Sequence, residues 1–126
     1  MKLDITSISN PKIKWLRSLH SNSTRKKEGV FLVEGAKEIA MALDGGYQPH
    51  SFFMASEVFE QGSTLKKARR FSKKSQDFKT LFAGLNLVSI SKDCFEKVAY
   101  RKNSDGLLAV FFFKIRENDA LKFVVY

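Results

Sequence analysis

Residues 25–36 read RKKEGVFLVEGA, from Arg25 to Ala36, and the fold is clearest in this stretch. Three consecutive cations precede a short apolar run, and Gly35 then opens an amphipathic segment. The continuous apolar run at 30–33 is typical of a strand buried on both faces. The first N–H groups of a helix have no intrahelical partner, so the turn at Gly35 suits an anion. The stretch therefore predicts a strand-to-helix turn close to a group of cations.

Helix and strand signals alternate on both sides of this stretch. Asn10 followed by Pro11 predicts the start of a helix that ends near residues 21–23. Helical spacing predicts another helix, closed by Gly45, at Ala36, Ile39, Ala40 and Leu43. Further strands are predicted at 51–54, 87–90 and 107–113, and short helices at 57–59 and 91–98. The last strand, which includes Phe112, is predicted to be buried on both faces. This alternation predicts an α/β fold with a mainly parallel sheet covered on both faces.

Composition limits the kind of protein and the kind of partner. A chain of 126 residues fits one domain. Lys and Arg exceed Asp and Glu by nine (22 minus 13), which indicates a polyanionic partner. The single cysteine, Cys94, excludes an internal disulfide framework and a multi-cysteine zinc site. His20 and His50 have no second ligand at metal spacing, so we expect no metal. The longest apolar run is too short to cross a bilayer, and we expect a cytoplasmic protein without membrane association.

Three sequence blocks, at 6–14, 25–35 and 105–110, read TSISNPKIK, RKKEGVFLVEG and DGLLAV. Together and in this order they resemble the N-terminal substrate-binding domain of the SpoU/TrmH family of RNA 2′-O-ribose methyltransferases. The resemblance implies a three-layer α/β/α sandwich similar to ribosomal proteins that bind kink-turn RNA. It also implies that the domain helps to hold structured RNA, either rRNA or tRNA.

The resemblance implies a domain division as well. In that family a SPOUT domain follows, binds S-adenosylmethionine and forms the homodimer. Residues 1–113 are then expected to be the RNA substrate-binding domain, and residues 114–126 a linker and the first strand of a catalytic domain missing from this chain. We expect no cofactor and no catalytic residues in the chain itself, because it has no glycine-rich cofactor loop. Two alternatives are a free-standing binder of structured RNA, related to the ribosomal kink-turn proteins, and a small enzyme whose polar cluster the sequence conceals.

The candidate RNA-binding residues are mostly cations, because each phosphate that they neutralise adds salt-dependent affinity. Arg25 is the preferred contact, since a guanidinium can grip phosphate bidentately or stack on a base. The central hypothesis is that the cations before the first strand and the turn after it form one joint surface. The full set is Lys12, Lys14, Arg17, Arg25, Lys26, Lys27, Glu34, Gly35, Lys37, Arg101, Lys102 and Asn103.

Each candidate also has a purely structural interpretation. The cations at 12–27 could form a solvated helix face and a charged loop. Glu34 could accept a hydrogen bond from RNA, or it could complement the helix dipole or pair with Arg25, while Gly35 could simply ease a tight turn. The basic run at 66–74 is either a second RNA surface or an insertion.

Overall fold

The computed structural model describes residues 3–59, 87–100 and 105–114 of the chain. The helices are α1 Pro11–Ser18, α2 Asn22–Glu28, α3 Ala36–Asp44, α4 Ser56–Phe59 and α5 Lys92–Val98. The strands are β1 Val30–Glu34, β2 Pro49–Met54, β3 Leu87–Ser89 and β4 Leu107–Phe112. The basic run at 66–74, the candidate residues at 101–103 and the tail at 115–126 lie outside the described residues.

The four strands form one sheet in the order β1-β4-β2-β3. The α/β class is confirmed, but the prediction of a mainly parallel sheet is wrong for the described strands. β4 pairs antiparallel with both β1 and β2, and only β2 and β3 pair in parallel. The first three strands do run in one direction, as the alternation predicts. The last strand of the described sheet enters between β1 and β2 in the opposite direction, and this creates two antiparallel pairs.

Helices cover both faces of the sheet, which gives the predicted three layers. On one face α1 and α5 bury Leu16 and Phe95 against Leu32 and Val110. On the other face α3 buries Ile39 among residues such as Phe111. Because β4 lies between two other strands and under helices on both sides, its sequence shows no polar alternation.

The beginning of α1 follows the predicted capping geometry. The Asn10 side chain accepts a hydrogen bond from the Lys12 N–H at 2.8 Å, and Pro11 occupies the start of the helix. The helix ends earlier than predicted, at Ser18, and a separate helix, α2, follows. α2 was not predicted because its sequence, NSTRKKE, has no apolar residue to reveal helical periodicity. Gly29 ends α2 in the left-handed conformation, with φ of 71°.

The end of β4 departs from the predicted burial. Phe111 is fully buried, whereas 41% of the surface of Phe112 is exposed. Phe112 is the last residue of the strand, paired with the first residue of β1, Val30, so its ring lies at the end of the sheet. The prediction that the whole of 107–113 is a strand buried on both faces is therefore corrected at Phe112 and at the half-buried Phe113, which lies beyond the strand.

Candidate nucleic-acid interface

The turn at Gly35 is closed by the protein's own groups. Gly35 has φ of 101°, is buried, and donates its N–H to the Leu107 carbonyl at 2.9 Å. The Asp105 carboxylate accepts the Ala36 N–H at 2.8 Å and, through its other oxygen, the Leu107 N–H at 3.1 Å. A negative charge at a helix N-terminus is favourable, and Asp105 supplies it here. The N–H groups of this turn are therefore already engaged within the protein, and the prediction that RNA approaches the Gly35 backbone is corrected.

Glu34 is placed inside the protein. It is only 3% exposed, and its carboxylate accepts the Tyr100 N–H at 2.7 Å. This contact fixes the beginning of the segment that leads from α5 to β4. The structure therefore favours the structural interpretation of Glu34, with the Tyr100 N–H as its hydrogen-bond partner. A buried carboxylate in this position does not reach a base or ribose, contrary to the RNA contact predicted for it.

Arg25 is also buried, contrary to its predicted role as the preferred RNA contact. Only 2% of its surface is exposed, because α2 turns this side chain inward. Its Nη1 donates to the carbonyl oxygens of Leu19 and His20, both at 2.8 Å. These carbonyls follow the last residue of α1, where no further helical N–H is available to them. Within the described part of the chain, the buried Nε of Arg25 has no hydrogen-bond partner. The guanidinium thus holds the connection between α1 and α2.

The joint surface of the central hypothesis does not form. Lys26 and Lys27 lie in the last turn of α2, immediately before β1, whereas Gly35 follows the last residue of β1. A strand rises about 3.3 Å per residue, so the five residues of β1 separate the two regions by roughly 13 Å or more. The regions are therefore at opposite ends of the sheet. We call these the Gly35 end (Glu34, Gly35, Lys37, Tyr100 and Asp105) and the Phe112 end (Trp15, His50 and Phe112).

The remaining described candidates are exposed but are divided between these ends. Lys37, in the first turn of α3, lies at the Gly35 end. Lys12 lies near His50, and its positive charge contributes to a lowered pKa of that imidazole, although partial desolvation of the ring is the larger cause. Lys12 therefore belongs with the Phe112 end. Lys14 and Arg17 are exposed along α1, which runs between the two ends.

Two aromatic residues near the Gly35 end, Tyr100 and His20, were not among the RNA contacts predicted from the sequence. The Tyr100 ring is 45% exposed and stacks on His20, with ring centroids 3.9 Å apart and an interplanar angle of 15°. His20 Nε2 lies 2.6 Å from the Val98 carbonyl oxygen. Because that oxygen can only accept, Nε2 carries the proton. The stack joins residues 80 positions apart in the chain, so no local pattern could have indicated it.

These observations define an α/β domain whose described lysines and arginines are exposed, except for the buried Arg25 and the half-buried Lys114. The chain belongs to the family of MRM3-like substrate-binding domains, whose model matches residues 10–109. The resemblance to SpoU/TrmH RNA methyltransferases that the sequence blocks suggested is thereby confirmed.

Solved structures agree with this assignment. An RNA 2′-O ribose methyltransferase is similar over 89% of this chain and 38% of its own, with 29% identity and a TM-score of 0.66. An rRNA methyltransferase from Sinorhizobium meliloti matches 89% of this chain and 37% of its own, with 20% identity and a TM-score of 0.62. The SpoU methyltransferase AviRb from Streptomyces viridochromogenes, in complex with the cofactor AdoMet, has 18% identity and a TM-score of 0.57 over 87% of this chain and 38% of its own. At such identities the last two show the shared fold alone.

The chain spans less than two fifths of the length of these structures. No curated protein sequence matches it significantly. None of the helices among the described residues is long and apolar enough to cross a membrane.

Proposed function

We propose that this domain recognises structured RNA, rRNA or tRNA, for a cytoplasmic ribose 2′-O-methyltransferase that uses S-adenosylmethionine. The observation that carries the proposal is the composition of the Gly35 end. There, the exposed Lys37 and the half-exposed ring of Tyr100 lie beside a frame of partly buried hydrogen bonds that Asp105 and Glu34 accept. A cation can neutralise a phosphate, and an aromatic face can stack on an unpaired base of a loop or bulge.

The rigidity of this end supports the proposal. Asp105 ties the start of α3 to the start of β4, and Glu34 ties the end of β1 to the segment after α5. His20 supports the Tyr100 ring from one face. Groups fixed in this way lose little further conformational entropy when a ligand binds. Arg101, Lys102 and Asn103 follow Tyr100 directly in the sequence, and the proposal retains them as RNA contacts.

In this proposal, a further domain carries out methyl transfer. S-adenosylmethionine would supply the methyl group in that domain. An open groove of about 660 Å³ beside α5 is lined by Thr6, Ser7, Ile8, Asp93, Glu96 and Lys97, without a glycine-rich loop. We therefore assign substrate recognition to residues 1–113, and to residues 114–126 the connection to a catalytic SPOUT domain through which the whole protein would form homodimers. Membership of a substrate-binding family supports this assignment over that of a free-standing RNA binder.

The test measures RNA affinity by fluorescence anisotropy with labelled unfractionated tRNA and a labelled rRNA hairpin that contains an internal loop. Affinity should fall with salt, with a log–log slope of about −0.7 to −0.9 per phosphate contact. Lys37→Ala should lower the affinity and reduce the slope by about one contact. Tyr100→Ala should lower the affinity at every salt concentration, because stacking does not release counterions.

Lys92→Ala is the matched control, since it removes one exposed lysine from the first turn of α5, which follows β3 at the opposite edge of the sheet from β1 and Gly35. It should bind RNA as the unaltered protein does. Equal losses for Lys37→Ala and Lys92→Ala would indicate general charge attraction and would remove the Gly35 end from the proposal. Absence of binding to either RNA would refute the proposed function.

A further inference from the structure

The Phe112 end carries a row of three aromatic rings that have no part in the function proposed for the Gly35 end. The Trp15 and His50 centroids are 5.4 Å apart, and those of His50 and Phe112 are 5.2 Å apart. The rings come from α1, β2 and β4, so three separate elements of the fold place them side by side. Trp15 is half-buried, while His50 and Phe112 are exposed.

Hydrogen bonds hold this row in place. Trp15 Nε1 donates to the Glu28 carboxylate at 2.8 Å, and His50 Nδ1 lies 2.9 Å from the Ser51 hydroxyl. The backbone N–H of Phe112 donates to the Gln48 carbonyl at 2.9 Å. The rings of His50 and Phe112 nevertheless remain exposed to solvent. The row is therefore both rigid and accessible.

The charges beside the row indicate what it binds. Lys12 is exposed on the same helix as Trp15, close to His50. Lys26 and Lys27 are exposed in the turn of α2 that ends at Glu28. Glu28 keeps its negative charge in its hydrogen bond with the neutral indole of Trp15, but these three lysines outnumber that single carboxylate. Aromatic faces flanked by cations are the arrangement that binds a single-stranded nucleic acid, in which bases stack and phosphates meet lysines.

We propose that Trp15, His50 and Phe112 form a second RNA contact, a stacking platform for one or two unpaired nucleotides. This inference rests on the proposed function, because it takes from there that the ligand is RNA. It concerns a different site, at the opposite end of the sheet. An RNA that reaches both ends would present its folded part to the Gly35 end and a single-stranded part to the platform.

The chain contains one tryptophan, so its intrinsic fluorescence reports on the platform directly. The probe is a ten-nucleotide oligouridylate, which has no stable fold. Saturable quenching of Trp15 is expected with the unaltered protein. Phe112→Ala should raise the dissociation constant by roughly 5- to 150-fold, the range for loss of one stacked base. Phe112→Leu, which preserves most of the apolar volume, should weaken binding similarly if the ring itself is required.

Met41→Ala is the matched control, because Met41 is 57% exposed on α3, which covers the opposite face of the sheet from α1. It should leave the quenching unchanged, and so should Lys37→Ala, which weakens only the binding of structured RNA. Oligouridylate that fails to quench Trp15, or quenches it equally in Phe112→Ala, would overturn the platform while structured RNA still binds. Self-association in sedimentation that Phe112→Ala abolishes would overturn it too, by assigning the patch to a protein contact. Loss of binding to both probes would reject the proposed function itself.

Discussion

Replacing Arg25 with Met tests whether this residue supports the fold or contacts RNA. The change preserves an unbranched side chain of similar length and removes the guanidinium. The carbonyls of Leu19 and His20 then lose their donor. We expect the free energy of unfolding to fall, while RNA affinity measured well below the melting temperature stays close to that of the unaltered protein.

The size of the loss follows from the two hydrogen bonds. The bond to Leu19 is buried, so its unsatisfied carbonyl costs about 1–3 kcal/mol. The bond to His20 is only partly buried, so water can replace part of it at a cost of about 1 kcal/mol. Relief of the buried charge offsets some of this cost. A net loss of about 2–3 kcal/mol corresponds to a fall in melting temperature of roughly 8–12 °C for a domain of this size.

The assay is a thermal melt followed by circular dichroism, together with urea unfolding to verify that the slope m is unchanged. Lys27→Met is the control, because Lys27 lies two residues along the same helix and is exposed. It should change stability by no more than about 0.5 kcal/mol. If Arg25→Met melted like the unaltered protein but bound RNA weakly, the guanidinium would have to lie at the surface, and the structural role argued for it would be wrong.

Substitutions at three further positions test other features of the fold. Asp105→Ala removes the cap of Ala36 and should cost about 1–2 kcal/mol in a thermal melt, whereas Asp105→Asn should cost less. Gly29→Ala should cost about 1 kcal/mol in urea unfolding, because φ is 71° and nothing lies within 4 Å of the added Cβ, so the strain is confined to the backbone. An NMR titration should give His50 a pKa below its ordinary 6.5, lowered first by burial and second by Lys12, and Lys12→Gln should raise it. Since the unfolded state then binds protons more readily, the contribution of neutral His50 to stability is complete above pH 6.5 and is lost as the pH falls through the folded-state pKa.

The elements with strong local signals were predictable from the sequence. The Asn10 cap and the apolar spacing of α3 depend on neighbouring residues, and both agree with the structure. The direction of β4 was not predictable. An antiparallel strand buried on both faces has the same continuous apolar sequence as a parallel one, and its place between β1 and β2 is a long-range choice.

The functional residues also divide into those that the sequence could predict and those that it could not. Exposed lysines such as Lys37 could be named from charge and helix position alone. The stacks of His20 with Tyr100, and of Trp15 with His50 and Phe112, could not, because each joins distant segments. An aromatic residue on an amphipathic helix usually packs in the core, and Trp15 follows this tendency only in part, since it is half-buried.

A run of consecutive cations on a helix does not act as one ligand site. Successive residues are rotated by about 100°, so Arg25, Lys26 and Lys27 point in three directions spread over about 200°. α2 has no apolar residue, and its inward position therefore has to be filled by a polar one. Arginine suits that position, because its aliphatic stem covers apolar surface while its guanidinium satisfies carbonyls. Lys26 and Lys27 consequently remain exposed beside Glu28, at the end of the sheet away from Gly35. The positive charge that the sequence suggests for a single surface is thus divided between two ends, which is why the two RNA contacts proposed here can be tested separately.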